Sequence, residues 1–533
     1  MGRYDSPMRL LVLAGLLALA QLATAATGTL ERGNGPEPDS LDAHRAQSLS
    51  AFNVLRDLYE GLVTEDVDGR PAPGLAESWT VADDGRTWTF TLREDLRWSD
   101  GEALTADHVV ASFRRALDPA TLAPYANLLE PIAGAADVIA GRAPPTALGV
   151  AAVDPRTLVF RLERPAPLPK LLTLPVAFVV DVEAAARHGA RHTRPGNLRG
   201  NGAYRLVDWQ PQTAIRLERN PHYHGAAHVP IAAVRFHVTE DPSSEMKRYL
   251  AGDLDLTESV PAGNLQRLTT RFGDELVVAP MLGTFWFGLN LRRPPFRDAP
   301  ELREALSLAI DREILVRHVT GFGEAPAFAI VPPGTDGHRD ATPAHARWTQ
   351  AQREARAREL YARAGYTRER PLETEIRYNT SPQHRRLALA VAAMWREVLG
   401  VRTRLVNEEW KVFVVNRRAG RLTQVFRGTW IADYNDPMSF LETFRDGSPL
   451  NATGFDDPAF DVLLDRAARE TDPARRADLL FEAESRLVAA HAVIPIYFYT
   501  AKQLVRPRIE GFRPNPMDRH PTRFLRLSDE PAP

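Results

Sequence analysis

Three neighbouring stretches decide the architecture: Glu373-Thr-Glu-Ile-Arg-Tyr378, the run from Leu387 to Leu399 that stops at Gly400, and Val401-Arg-Thr-Arg-Leu-Val406. The outer two alternate apolar and polar residues at a period of two, as half-buried strands do, while the middle one repeats apolar residues at helical spacing. Strand, helix and strand within about 35 residues form a crossover whose two strands run parallel. A parallel pair needs helices packed over it, so the chain reads as α/β.

Working outward, Gln350 to Ala364 reads as a helix closed by Gly365. Glu301 to Thr320 reads as one longer helix with Leu302, Ala305, Leu306, Ala309, Ile310 and Leu315 on one face, Pro300 at its start and Gly321 at its end. Between them Pro332 to Thr349, rich in Pro, Gly, Asp, Thr and His, reads as loop. Thr87-Trp-Thr-Phe-Thr-Leu92 follows an Asp83-Asp84-Gly85 turn, and Arg156-Thr-Leu-Val-Phe-Arg-Leu162 follows Asp154-Pro155; both are strands. Two helical stretches between Pro458 and Ala490 lead into the apolar strand Val493 to Tyr499.

At 533 residues the chain exceeds one compact domain, and two or three are expected. The 66 basic residues balance 68 acidic ones for a formal charge of -2, which argues against nucleic acid or anionic lipid as partner. Only Lys170, Lys247, Lys411 and Lys502 are lysines, a skew that a GC-rich coding bias explains. Cysteine is absent, which removes disulfides, thiolate metal sites and cysteine nucleophiles. Arg3 and Arg9 precede the apolar run Leu10 to Leu22, and Ala23-Thr24-Ala25 supplies small residues for cleavage. This pattern is that of a Sec-type signal peptide over residues 1–25. Without a cysteine there, no lipid anchor follows, and a soluble protein of the bacterial periplasm is expected.

Catalytic motifs are missing: there is no HExxH, GxSxG, Walker loop or complete GxGxxG. Asp253-Leu-Asp255 lacks the glycine and distal glutamate of a calcium loop. His222-Tyr-His224 with His228 is the one tight histidine cluster; a solvated turn between Asn220-Pro221 and Gly225 outweighs a metal site. Glu408-Glu409 reads as a surface run before a buried Trp410 rather than an acid/base pair. Neither a metal nor a cofactor is expected, and binding is the more economical class.

Asp68-Gly-Arg-Pro-Ala-Pro-Gly-Leu-Ala-Glu-Ser-Trp79 and its continuation through Trp88–Arg93 to Trp98-Ser-Asp-Gly101 resemble the signature of the extracellular solute-binding proteins of peptide and nickel ABC transporters, family 5. Asn201–Leu206, Arg303–Arg312 and Trp430-Ile-Ala-Asp-Tyr-Asn-Asp-Pro437 match further blocks in the family's order, from about Leu41 to about Arg508. The resemblance, strongest to the oligopeptide-binding branch, implies a two-lobed periplasmic-binding-protein fold (cluster C type) with an extra domain inserted in the first lobe. Carried over, the family's boundaries give lobe I as 26–59, 184–283 and 501–533, the inserted domain as 60–183 and lobe II as 284–500. Two chain crossings, near 283 and 500, form the hinge.

The resemblance also implies roles. Asp433 matches the aspartate that receives a peptide's α-ammonium; Arg427 and His384 match positions facing its carboxylate, with Arg417 or Arg418 as a further cation. Trp430, Tyr125, Phe285 and Trp286 match pocket and strand positions. On the first lobe Gln47 and Leu49 match the ligand wall, Gln47 standing where relatives carry a glutamate. A lysine of relatives is replaced around Thr320 to Glu324, and their cysteine pair corresponds to Gly283 and Ile431. The expected function is capture of oligopeptides for an inner-membrane ABC permease by a monomer without chemistry of its own. A binder of murein peptide, dipeptide, opine or metal chelate is the alternative within the fold, and a secreted hydrolase the alternative outside it.

Overall fold

The computed structural model describes residues 28–261, 265–420 and 424–528; the signal-peptide stretch lies outside them. The crossover unit forms as read. Glu373–Asn379 pairs in parallel with Arg402–Glu408, from Glu373 opposite Arg402 to Asn379 opposite Glu408. The connecting helix, Pro382–Leu399, starts earlier than Leu387 because Ser381 caps it, accepting from the His384 N–H, and Pro382 occupies the first turn. Gly400 ends it at φ 79°, a left-handed value that favours glycine.

These strands belong to a six-stranded sheet in the order 325–326, 493–504, 276–289, 425–431, 373–379, 402–408. Its two longest members, Leu276–Leu289 and Val493–Leu504, run antiparallel over most of their length. The second continues five residues past the Tyr499 expected from sequence. Their register shifts between Pro280 and Thr284, beside the position where the first hinge crossing was expected. Strand alternation distributes the side chains to two separate cores. Phe285, Phe287 and Leu289 face the helices Pro300–Leu308, Gln350–Arg363 and Pro382–Leu399; Trp395 of the last is fully buried and donates to the Leu306 carbonyl at 2.9 Å. Leu282 and Trp286 face the helices Pro458–Arg469 and Pro473–Ala489. Gly283 lies directly opposite Ile431, whose Cδ1 fills the space a side chain at 283 would need.

Two four-stranded sheets and two two-stranded ribbons, 63–65 with 71–73 and 509–510 with 526–527, build the rest. One orders 29–33, 233–237, 214–219 and 204–210 and packs on the helix Leu49–Leu58 through Leu30, Val54, Leu55, Leu58, Leu217 and Phe236. The other orders 76–81, 87–92, 157–161 and 150–154 and packs on Ala106–Leu117. There Phe160 meets Phe90 and Phe113 edge-on at 5.4 and 5.1 Å.

Three sequence readings are corrected. The single helix over 301–320 is broken after Leu308: Asp311 takes an extended conformation and caps Ile314, and a wide final turn runs Leu315–Thr320. Arg312, 1 % exposed, fixes the break by donating to the carbonyls of Ser307, Ala327 and Pro495. Trp410 is 49 % exposed instead of buried, because it opens the helix Trp410–Ala419 on its outer side. Glu409 caps that helix, and Glu408 turns inward to Arg377 at 2.6 Å. The turn at His222–His224 is exposed at both histidines, as a solvated turn would be, but it is tied to a buried carboxylate that the sequence reading lacked. His224 Nε2 meets Glu60 at 2.6 Å, the buried Tyr223 hydroxyl donates to the same carboxylate at 2.9 Å, and His222 lies against Gly101. Among the described residues no three His, Asp or Glu side chains gather as metal ligands.

Candidate ligand site

The strand Val425–Ile431 and the bend that follows it carry opposite charges at their two ends. At the far end, the Asp433 N–H donates to Ser439 Oγ at 2.9 Å and its carbonyl accepts from Arg519 at 2.6 Å, so the main chain is held on both sides. Its carboxylate makes no hydrogen bond or ion pair among the described residues. Burial pushes that carboxyl up to about 6, against the pull of the Arg519 charge. A carboxylate enclosed without a counter-ion is costly for the protein alone and suits a cationic ligand.

Tyr125 faces this end. Burial raises its phenol to about 12, and the charges of Asp433 and Asp39 add to the effect. Its ring lies 5.9 Å from that of Phe52 in the helix Leu49–Leu58. Asp39 accepts from the Gln47 N–H at 2.8 Å and from the Ser48 N–H at 3.0 Å, which brings the loop before that helix to the same wall. Gln47 is exposed there, and Leu49 is 62 % exposed. The next residue, Tyr434, buries its ring in the core of the sheet that contains Thr87–Leu92. Beyond it, Lys170 from that same domain donates to Asp336 at 2.7 Å, the Asn435 carbonyl at 2.9 Å and Asp436 at 3.3 Å. The buried Asp436 also accepts a two-pronged pair from Arg476, at 2.8 and 2.9 Å.

The near end is cationic. Arg427 is 7 % exposed, yet its guanidinium has no carboxylate or hydrogen-bond partner among the described residues and rests over the Phe285 ring at 5.6 Å. His384 stands 5.8 Å from the same ring with its buried Nδ1 unpartnered; burial, with help from Arg427, lowers it to about 4, so it is neutral at pH 7. Arg417 also has a buried, unpartnered Nε, and burial together with the charges of Arg427 and Arg418 lowers it to about 10. Of the two arginines left open by the sequence, Arg417 is thus the enclosed one and Arg418 the exposed one. Buried donors without acceptors on side chains this strongly polar fit an anion from outside the chain.

The remaining aromatic positions sit differently. Phe285 is fully buried, stacked on Tyr497 at 5.0 Å and 12°, and supports Arg427 and His384 from below. Trp286, 6 % exposed, packs on Phe444 in the opposite core. Neither leaves an open face for a ligand, since strand alternation turns each of them into one of the two cores. Trp430 follows Trp286 to that second side, half-buried, with an unpartnered indole N–H. Asp433 and Tyr125 therefore come together, as do Arg427, His384 and Arg417, while Trp430 lies on the strand face opposite Arg427. Arg519, Ser439 and Lys170 were missed from sequence. Only Lys170, as one of four lysines, carried any signal.

Residues 70–452 match the model of the bacterial extracellular solute-binding proteins, family 5. The chain is 40 % identical to the periplasmic oligopeptide-binding protein OppA of Escherichia coli K12 over 96 % of each, and 37 % identical to that strain's periplasmic murein peptide-binding protein MppA over 94 % of each. Among solved structures it resembles Haemophilus influenzae OppA in complex with RPPGFSPFR, with 35 % identity and a TM-score of 0.80 over 95 % of this chain and 100 % of that one. These relatives are binding proteins, and the α/β fold they share is two-lobed.

Proposed function

The chain belongs to the bacterial extracellular solute-binding proteins, family 5, and we propose from that premise that it is the periplasmic oligopeptide-binding component of an ABC transporter. It takes up short peptides by their termini and backbone and hands them to an inner-membrane permease, as a monomer and without chemistry of its own. The segment 1–25 directs export, and no lipid holds the mature protein. No helix among the described residues is long and apolar enough to cross a membrane, which is compatible with this reading.

One observation carries it: a half-buried, unpaired carboxylate at Asp433 and the unpaired guanidinium groups of the buried Arg427 and the half-buried Arg417 border the same stretch of chain. Asp433 receives the α-ammonium; Arg427, with Arg417 and His384 beside it, receives the α-carboxylate. Asp433 stands six positions after Arg427, so their Cα atoms are at most about 22 Å apart. A ligand that reaches both is therefore a short, extended chain. Its amides add to the protein's backbone as a further strand would. When the lobes close, water leaves and each of these charge-assisted bonds gains strength.

The test is titration calorimetry with trialanine, its N-acetyl form and its C-terminal amide, followed by mass analysis of the recovered peptide. Trialanine binds and returns intact; both blocked forms bind at least tenfold more weakly. Cleavage of the peptide, or equal affinity for all three, sinks the proposal.

A further inference from the structure

Arg519 lies 86 residues beyond Asp433, in a C-terminal segment that the binding site has not so far required. That segment is firmly built. Asn515 closes its turn, donating to the Arg519 carbonyl at 2.7 Å and accepting from the N–H groups of Met517 and Arg519 at 3.1 and 3.2 Å. The Leu282 N–H donates to the Pro516 carbonyl at 2.8 Å, and Met517 enters the core that holds Ala432 and Met438. On the other side, Arg32 donates to the His520 carbonyl at 2.7 Å. From this base the Arg519 guanidinium, 11 % exposed, reaches in two directions: one nitrogen donates to the Asp433 carbonyl at 2.6 Å, and another pairs with Glu65 of the strand Val63–Glu65.

We propose that Arg519 is a positioning residue for the ammonium site: it fixes the Asp433 main chain from the C-terminal segment and supplies the positive charge against which the empty carboxylate is held. The inference rests on the reading of Asp433 as the receptor of a peptide amine. Its electrostatic logic is asymmetric. Glu65, which also faces the buried Arg56 at 3.7 Å, holds the Arg519 guanidinium away from the Asp433 carboxylate, yet Arg519 stays near enough to favour the ionised form. The other groups around Asp433 do not do this. Tyr125 and Tyr434 are neutral, and Asp436 is already matched by Arg476 and Lys170. Binding needs Asp433 ionised and the ligand amine protonated. The first condition fails below about 6, the second above about 8, the usual range of an α-amino group. Arg519 keeps that window open on its acid side.

The experiment compares wild type, Arg519→Met and Arg519→Lys. The Asp433 carboxyl is titrated by carbon NMR in ligand-free protein, with Asp433→Asn identifying the resonance, and trialanine affinity is measured from pH 5 to 8. Without Arg519 the carboxyl midpoint rises by about one unit or more, as loss of a nearby opposite charge requires. The affinity deficit of Arg519→Met is then about fivefold or larger at pH 6 and shrinks towards pH 8. Arg519→Lys restores the charge and keeps the midpoint within about half a unit of wild type. An unmoved midpoint in Arg519→Met, or an affinity deficit equal at pH 6 and pH 8, overturns the proposal. Equal binding of trialanine and N-acetyl-trialanine by wild type overturns instead the ammonium reading, and the ligand-free titration still reports on Arg519 separately.

Discussion

Replacing Asp433 by asparagine should do two opposite things: abolish tight peptide binding and make the ligand-free protein more stable. The stability effect follows from the raised carboxyl. Burial moves it from 3.8 in the unfolded chain to about 6, and one unit is worth about 1.4 kcal/mol, so the cost of charging it approaches about 3 kcal/mol. Because the side chain keeps some contact with solvent, we take about 1–3 kcal/mol. The sign is set by proton counting. Between 3.8 and 6 the native state holds the proton more tightly than the unfolded state, so stability falls as pH rises through that window, with the full penalty above 6. Asparagine, of the same shape and uncharged, should thus stabilise at pH 7.5, and the gain should shrink to about a third at pH 4.5. In binding, the ligand's ammonium would be left enclosed without a counter-charge, a loss of about 3–5 kcal/mol or roughly a hundred- to several-thousandfold in affinity. Urea denaturation at the two pH values and calorimetry with trialanine read both numbers. A variant less stable than wild type at pH 7.5, or one that binds within threefold of it, would refute the picture of an unpaired, enclosed carboxylate.

Arg427→Met should weaken trialanine about ten- to a hundredfold but leave its C-terminal amide nearly unaffected, as calorimetry can show, because the lost bond is to the carboxylate. Gly428→Ala should destabilise by about 1–3 kcal/mol in denaturant: a Cβ there would come 2.2 Å from the Trp286 indole nitrogen, and that ring is held in the core. Lys170→Met removes the ammonium that joins Asp336, Asn435 and Asp436 to the domain of Thr87–Leu92. Because Asp436 keeps Arg476, the expected cost in urea is about 1–2 kcal/mol, and unchanged stability would show the contact to be inert.

What could be read from sequence was whatever residues decide locally. Strand alternation at 373–378, the glycine that ends 382–399, and the turn before Thr87 all act within a few residues of themselves, and all appear where expected; the Ser381 cap, just as local, starts that helix five residues before the expected Leu387. The broken helix at 309–311 was legible too, since Asp311 followed by two helix formers is a cap signal; the continuous apolar face hid it. Contacts between distant segments were not legible. His224 looked partnerless because its carboxylate, Glu60, lies 164 residues upstream. Trp410 looked buried by its chemistry, and only the position of its helix leaves it outside. At the site, the charged residues could be carried over from family blocks, but their lack of counter-ions is a property of the assembled molecule. Phe285 and Trp286 show the converse: adjacent aromatic residues read as one feature, and the pleat of the strand sends them into different cores.

The pairing of Gly283 with Ile431 bears on how the molecule matures. This chain, which has no cysteine, joins these two strands by a single branched side chain resting on bare backbone. Nothing at that seam needs an oxidant to form or fears a reductant once formed. Export into a compartment poor in thiol oxidases should therefore yield the same protein, at the same rate, as export into a rich one.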